Sequence, residues 1–171
     1  MAYLTHKKYL QKIKSLNMPY WNEGRRYRWD YMLPVIEYMK SIGAVNTLEM
    51  GTMRLPLNNT SYQFELKKSD IVTKRGKIQD LNNPPFGFKD NHFDCAVALQ
   101  VFEHLDNQAE TFKELCRISK NVVLSFPFKW NHGDSRHRGI DEKKIAEWTC
   151  NKKPDNVILI KDRIIYFWRT A

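Results

Sequence analysis

Cys95-Ala96-Val97-Ala98-Leu99 is an unbroken apolar run of strand length, and it ends against Gln100, Glu103 and His104. A strand without polar alternation is one covered on both faces, the condition of a central strand in a parallel sheet. Open α/β sheets bind ligands in the crevice beyond the carboxyl ends of their strands. The step from an apolar run to an amide, a carboxylate and an imidazole therefore puts chemistry where that crevice is expected.

The flanking sequence supplies the partners such a strand needs. Asn46 to Met50, Ser61 to Leu66, Asp70 to Thr73 and Asn121 to Phe126 read as further strands, with Phe93 to Leu99 between the last two. Gln108 to Ser119 has Phe112, Leu115, Cys116 and Ile118 at helical spacing and links two of the strands. Asp141 is the expected N-cap of a helix running to Cys150, before Pro154. Val157 to Ile160 and Ile164 to Trp168 flank Lys161-Asp162-Arg163, the pattern of a closing antiparallel hairpin. Ahead of the strands, Lys7 to Leu16 reads as a basic amphipathic helix. A second helix spans about Arg28 to Ser41, with Gly43 as its C-cap. Pro34 argues that its start lies nearer Leu33.

A chain of 171 residues fits one domain with a single sizeable core: a helical segment over 1–43 and a sheet-bearing core over 45–171. No apolar stretch approaches the roughly 20 residues of a membrane span, and Met1 to Lys8 lacks the apolar core of a signal peptide. Cys95, Cys116 and Cys150 are widely spaced without a C-x-x-C pair, so reduced thiols in a cytoplasmic protein are expected, and no zinc site. The net charge of +9 is partly local: Lys7, Lys8, Lys12, Lys14, Arg25, Arg26 and Arg28 face Glu23 alone within residues 1–28. That segment is either a solvated helix surface or a face for nucleic acid or an anionic substrate.

Four further features stand at the ends of the candidate strands. Glu49-Met50-Gly51-Thr52-Met53 closes the first, and a glycine there lets the backbone turn tightly beside a ligand. Glu65 lies at the end of the second, where a carboxylate can accept from ribose hydroxyls. Asp80-Leu81 precedes the Phe93-Asp94 strand, and Glu103-His104-Leu105 follows it. Together these residues resemble the class I S-adenosylmethionine-dependent methyltransferases, most nearly the small type 11 methyltransferase domain, over about residues 45–130 with the hairpin added.

The resemblance implies an α/β fold: a Rossmann-like, mainly parallel sheet with an antiparallel C-terminal hairpin and helices on both faces. Only nine residues, Thr52 to Thr60, follow Gly51 before the second strand, and three, Lys67 to Ser69, precede the third. Parallel crossovers usually take ten or more. Shortened crossovers after strands one and two are therefore expected, with the sheet exposed there or covered by the amino-terminal helices.

The cofactor implied is S-adenosylmethionine. Glu49, Gly51, Thr52 and Met53 would border its methionine end, with Met53 standing where a second glycine is usual. Glu65 would hold the ribose, Asp80 and Leu81 the adenine, and Gln100 and Val101 would lie alongside. His104 is the candidate general base, since an unperturbed imidazole titrates near neutrality. Trp130, His132, Arg136 and His137 would line the acceptor pocket, with Trp21 reaching in from the amino-terminal segment. His132, Asp134 and His137 also invite a metal reading, but loop spacing is poor evidence and no metal is expected.

The function expected is methyl transfer to a small-molecule acceptor, at oxygen rather than nitrogen. The alternatives are an RNA methyltransferase using the basic amino terminus and a non-catalytic binding module with a decayed glycine loop. Asn83-Pro84-Pro85-Phe86 matches a motif of amino-methyltransferases, but there the motif follows strand four, whereas here it precedes that strand. No membrane partner is expected, and the oligomeric state is left open.

Overall fold

The computed structural model describes residues 2–16, 28–52, 55–65, 76–78 and 80–171, with backbone only at 65 and 76–78. Seven strands form one sheet: β1 (Thr47–Met50), β2 (Tyr62–Glu65), β3 (Gly76–Ile78), β4 (Cys95–Leu99), β5 (Asn121–Pro127), β6 (Asn156–Ile160) and β7 (Arg163–Arg169). Their spatial order is β3-β2-β1-β4-β5-β7-β6. The first five run parallel and the β6–β7 hairpin joins β5 antiparallel. The helices are α1 (His6–Leu16), α2 (Arg28–Ser41), α3 (Gln108–Ile118) and α4 (Glu142–Trp148).

Strand side chains alternate between two faces, and each face has its own core. Ala96 and Ala98 of β4, with Leu48, Val122, Leu124 and Trp168, pack against Phe112, Leu115 and Ile118 of α3 and Ile145 of α4. Cys95, Val97 and Leu99 share the other face with Val123, Ile165 and Phe167. There the cover is Tyr9 of α1 and Met32, Val35, Ile36 and Met39 of α2. All five β4 residues are buried, which is why that segment is a continuous apolar run. Among the described residues between β1 and β2 there is no helix, and the amino-terminal helices cover the adjoining face.

One sequence expectation changes and another falls outside the described residues. α2 runs through Pro34 from Arg28 rather than starting near Leu33; buried Tyr31 and Met32 anchor its first turn to the core. The expected strand Asp70–Thr73 lies outside the described residues, and the strand paired with β2 is Gly76–Ile78. Gly-Lys-Ile carries neither apolar continuity nor alternation, so no sequence signal marks it. The ten residues 66–75 between β2 and β3 are also outside the description, while β3 now ends two residues before Asp80.

Local rules account for the helix ends. Gly43 sits at φ +64, its N–H donating to the Lys40 carbonyl (3.0 Å) and that of Ala44 to Met39 (2.9 Å). This is a Schellman closure, in which glycine takes the left-handed position cheaply. The Asp141 carboxylate accepts from the Lys144 N–H at the head of α4, as its N-cap position requires.

Glu114 of α3 holds the β3–β4 loop. Its carboxylate accepts from the Phe86 N–H (2.8 Å) and from Nε and Nη2 of Arg117, both at 2.8 Å. Arg117 extends the tie to Asp90 and the Phe88 carbonyl. The Arg117 guanidinium holds the Glu114 carboxyl below the usual range against the cost of burial, helped by the Phe86 N–H. A carboxyl lowered on folding stabilises above its unfolded pKa, and that contribution is lost as pH falls through the folded value. Melting temperatures should therefore fall on acidification below about pH 4.3, and Glu114→Gln should flatten that acid limb; equal limbs would contradict the assignment. No helix among the described residues is long and apolar enough to cross a membrane.

Candidate cofactor and acceptor site

The carboxyl ends of β1 and β4 open into one cavity, lined by Arg28, Glu49, Gly51, Thr52, Val97 and Leu99 among others. Gly51 turns there at φ +62, and its N–H donates to the Phe64 carbonyl (2.9 Å). The left-handed turn suits glycine, which has no Cβ to clash. Thr52 is buried and its hydroxyl donates to Gln63 Oε1 (3.2 Å). Glu49, 3% exposed, accepts from the N–H groups of Leu57 (2.7 Å) and Asn58 (2.8 Å) and from the Ser61 hydroxyl. It is thus the anchor of the 55–61 segment, and it borders the cavity as a bonded wall.

Arg28, at the head of α2, was counted in the sequence only as part of a basic segment. The structure buries it to 7% exposure within this cavity. Periodicity marks α2 as covered, but no local signal says that its first residue meets the end of β1.

On the other side of β1, Asp80 is exposed and forms an Asx turn, its carboxylate accepting from the Asn82 N–H (2.9 Å) and Asn83 Nδ2 (2.7 Å). Leu81 is buried, its carbonyl accepting from the Thr111 hydroxyl of α3. Asn82 Oδ1 accepts from the N–H groups of Asp106 (2.7 Å) and Asn107 (3.0 Å). The loop after β3 is thereby stitched to the loop after β4. Asn83-Pro84-Pro85-Phe86 belongs to this loop, with Phe86 in the core. Met53, the side chain of Glu65 and Trp21 lie outside the described residues.

Beyond β4 the backbone turns at Gln100 with φ +58, a left-handed conformation rare for a residue with a Cβ and a frequent mark of functional sites. Ser125 of β5 secures it: Oγ accepts from Gln100 Nε2 (3.1 Å) and its carbonyl from the Gln100 N–H (3.1 Å). Val101 is buried, and Phe102–His104 make one 3₁₀ turn. That turn sends Glu103 inward, 3% exposed, with neither carboxylate oxygen meeting a hydrogen-bond partner among the described residues. Burial pushes its carboxyl up to about 8, against the weaker pull of its own backbone N–H and of the Arg163 charge.

His104 meets the loop after β5. Its ring lies edge-on to His137, centroids 5.0 Å apart. Trp130 stacks on His132 (4.6 Å) and His137 (5.8 Å). Its Nε1 donates to the Asp162 carbonyl (2.8 Å), and the Arg163 guanidinium covers its ring at 4.1 Å. Four of the expected residues, His104, Trp130, His132 and His137, are thus one cluster. Arg136 is exposed on the same loop, its N–H donating to Asp134. Glu103 is the carboxylate expected at the end of β4, but nothing in its spacing says that it points inward. The metal set weighed in the sequence does not come together as a trio: Asp134 meets His137 (2.7 Å), but among the described residues the three donors that approach one another are on Glu103, His104 and His137.

A sequence profile described as a methyltransferase domain matches residues 57–122. The fold is similar to the methyltransferase domain of bacterial CtHen1, with TM-score 0.64 and 16% identity over 84% of this chain and 100% of that one. It is also similar to an S-adenosylmethionine-dependent methyltransferase from Aquifex aeolicus (TM-score 0.62, 16% identity, 94% and 98% covered). A third such enzyme, from Clostridium acetobutylicum, shows TM-score 0.62 and 11% identity over the same shares. No curated protein sequence matches the chain.

Proposed function

We propose that this chain, which has the fold and over residues 57–122 the profile of the class I, type 11 S-adenosylmethionine-dependent methyltransferases, transfers a methyl group from that cofactor to an oxygen of a small-molecule acceptor. The observation that carries the reading is the arrangement along one sheet edge. A left-handed glycine ends β1, an Asx-turn aspartate follows β3, and an aromatic and imidazole cluster follows β4 and β5.

The residues fit the cofactor. Arg28 brings a buried guanidinium to the cavity at Gly51, suited to the methionine carboxylate. Asp80 offers an exposed carboxylate to the adenine amino group, and Gln100 and Val101 form the floor between. When bound, S-adenosylmethionine supplies an electrophilic methyl carbon on a sulfonium, which an aligned nucleophile displaces in line. The chain's contribution is chiefly alignment, which can supply much of the acceleration in such a displacement. His104 is the base within the acceptor cluster, the group needed when the nucleophile must lose a proton. Trp130, His132, Arg136 and His137 supply the acceptor pocket's aromatic and polar walls.

Calorimetry with S-adenosylhomocysteine tests the cofactor reading. Asp80→Ala should weaken binding by about 1–2 kcal/mol through the lost hydrogen bond to the amino group; unchanged affinity would make Asp80 a turn residue only. Transfer of labelled methyl from S-adenosylmethionine, with the products split into small-molecule and RNA fractions, tests the acceptor class. Label in the small-molecule fraction is expected, and label in RNA alone would overturn it.

A further inference from the structure

The cluster beyond β4 contains a combination that methyl transfer by alignment does not use. One donor atom from each of Glu103, His104 and His137 lies within 4.8 Å of the other two. Glu103 is buried and aimed among them without a hydrogen-bond partner among the described residues. A buried carboxyl without a partner costs a fold stability, so its retention asks for a ligand. We propose that Glu103, His104 and His137 bind a first-row divalent transition-metal ion at the acceptor side of the site.

Three further features suit that assignment. Two imidazoles and one carboxylate are the donors of a facial set, borderline in softness and leaving positions open for other ligands. Mg²⁺ and Ca²⁺, which prefer all-oxygen surroundings, fit it less well. Nδ1 of His137 is held by the Asp134 carboxylate at 2.7 Å, which fixes the proton on Nδ1 and leaves Nε2 as the coordinating nitrogen. A carboxylate behind a ligating imidazole is the usual outer support of such sites. The neighbouring cation, Arg163, is itself compensated, with Nη1 2.7 Å from Asp162 Oδ1.

The ligands come from two separate segments, the 3₁₀ turn after β4 and the loop after β5, so the ion would also pin that loop over the site. Its place in the reaction rests on the methyl-transfer reading, whereas the site itself does not. With the ion bound, His104 would be a ligand and no longer the base, and an acceptor hydroxyl coordinated there would give its proton to water at lower pH than when unbound. Its oxygen then forms the new bond to the methyl carbon while the carbon–sulfur bond breaks, the electron pair staying on sulfur. Vicinal hydroxyls, able to use two open positions together, are the acceptor chemistry that such an ion selects.

Co²⁺ titrated into chelator-stripped protein, followed by visible absorption and calorimetry, reads the site without any turnover. One equivalent with d–d bands is expected for the wild type. His137→Ala and Glu103→Gln should each weaken binding at least tenfold, while His92→Ala, which removes an imidazole near the opposite end of β4, should leave it unchanged. His137 lies on a surface loop, so its variant folds even if the Glu103 variant does not. No stoichiometric Co²⁺ binding, or binding indifferent to both variants, overturns the proposal. S-adenosylhomocysteine binding measured on the same samples separates the two readings: its loss with Co²⁺ binding intact would defeat the cofactor reading alone, and the converse the metal site alone.

Discussion

Replacing Glu49 by alanine is expected to destabilise the fold by about 3–5 kcal/mol, because it strands several buried donors whose desolvation costs roughly 1–3 kcal/mol each. The carboxylate receives the Leu57 and Asn58 N–H groups and the Ser61 hydroxyl in a site that water does not reach. Those bonds tie the segment after β1 back onto the strand it has just left. They do the work that a crossover helix usually does between parallel strands, since no helix occurs among the described residues between β1 and β2. Glu49→Gln keeps the shape but turns one acceptor into a donor facing another donor. It should therefore recover only part of the loss. Urea unfolding checks both variants, and an unchanged midpoint for Glu49→Ala would show that the segment is held by its apolar contacts instead.

Glu103→Met is expected to change stability in the opposite direction, raising it in metal-free protein by about 1–3 kcal/mol as a buried carboxyl with no hydrogen-bond partner among the described residues is replaced by apolar volume of similar size. The pH dependence gives the sign a second check. Burial raises the Glu103 carboxyl to about 8, so the folded state prefers the protonated form. Its stability contribution is complete below the unfolded value near 4.3 and is lost as pH rises through about 8. The advantage of the variant should therefore grow from pH 5 to pH 8.5 in the presence of a chelator. A less stable variant would mean that Glu103 has a structural partner. Stability gained by removing a side chain marks a residue kept for what it binds.

The parts of this fold legible in the sequence are those buried on both faces or closed by local chemistry. β4, β5 and β7 show as apolar runs because both sides of the sheet are covered there, while β6, an edge strand with Val157 and Leu159 exposed, shows through its hairpin with β7. The Asp141 and Gly43 caps show because N-caps and left-handed C-caps select particular residue types. Gly76–Ile78 stayed hidden, since three residues at a sheet edge need no pattern. α2 was legible as a helix but not as the cover of the β4 face, because amphipathicity says that a helix is covered and not by what.

The candidate site divides in the same way. Gly51, Asp80 and His104 stand at strand ends, where topology alone gives residues a meaning, and the sequence points to them directly. Trp130, His132 and His137 were found as composition in a loop, and the structure joins them to His104 across the 32 residues of chain between His104 and His137. The burial of Arg28 and of Glu103 was not legible, for one physical reason. A charged residue is ordinarily solvated, and only tertiary packing turned these two inward.

A crystal structure with S-adenosylhomocysteine tests the central claim most directly. The adenine is expected beside Asp80 and Leu81, the methionine carboxylate at Arg28 near Gly51, and the sulfur directed toward Glu103, His104 and His137. Cofactor bound elsewhere, or a sheet edge that takes up none at millimolar concentration, would contradict it.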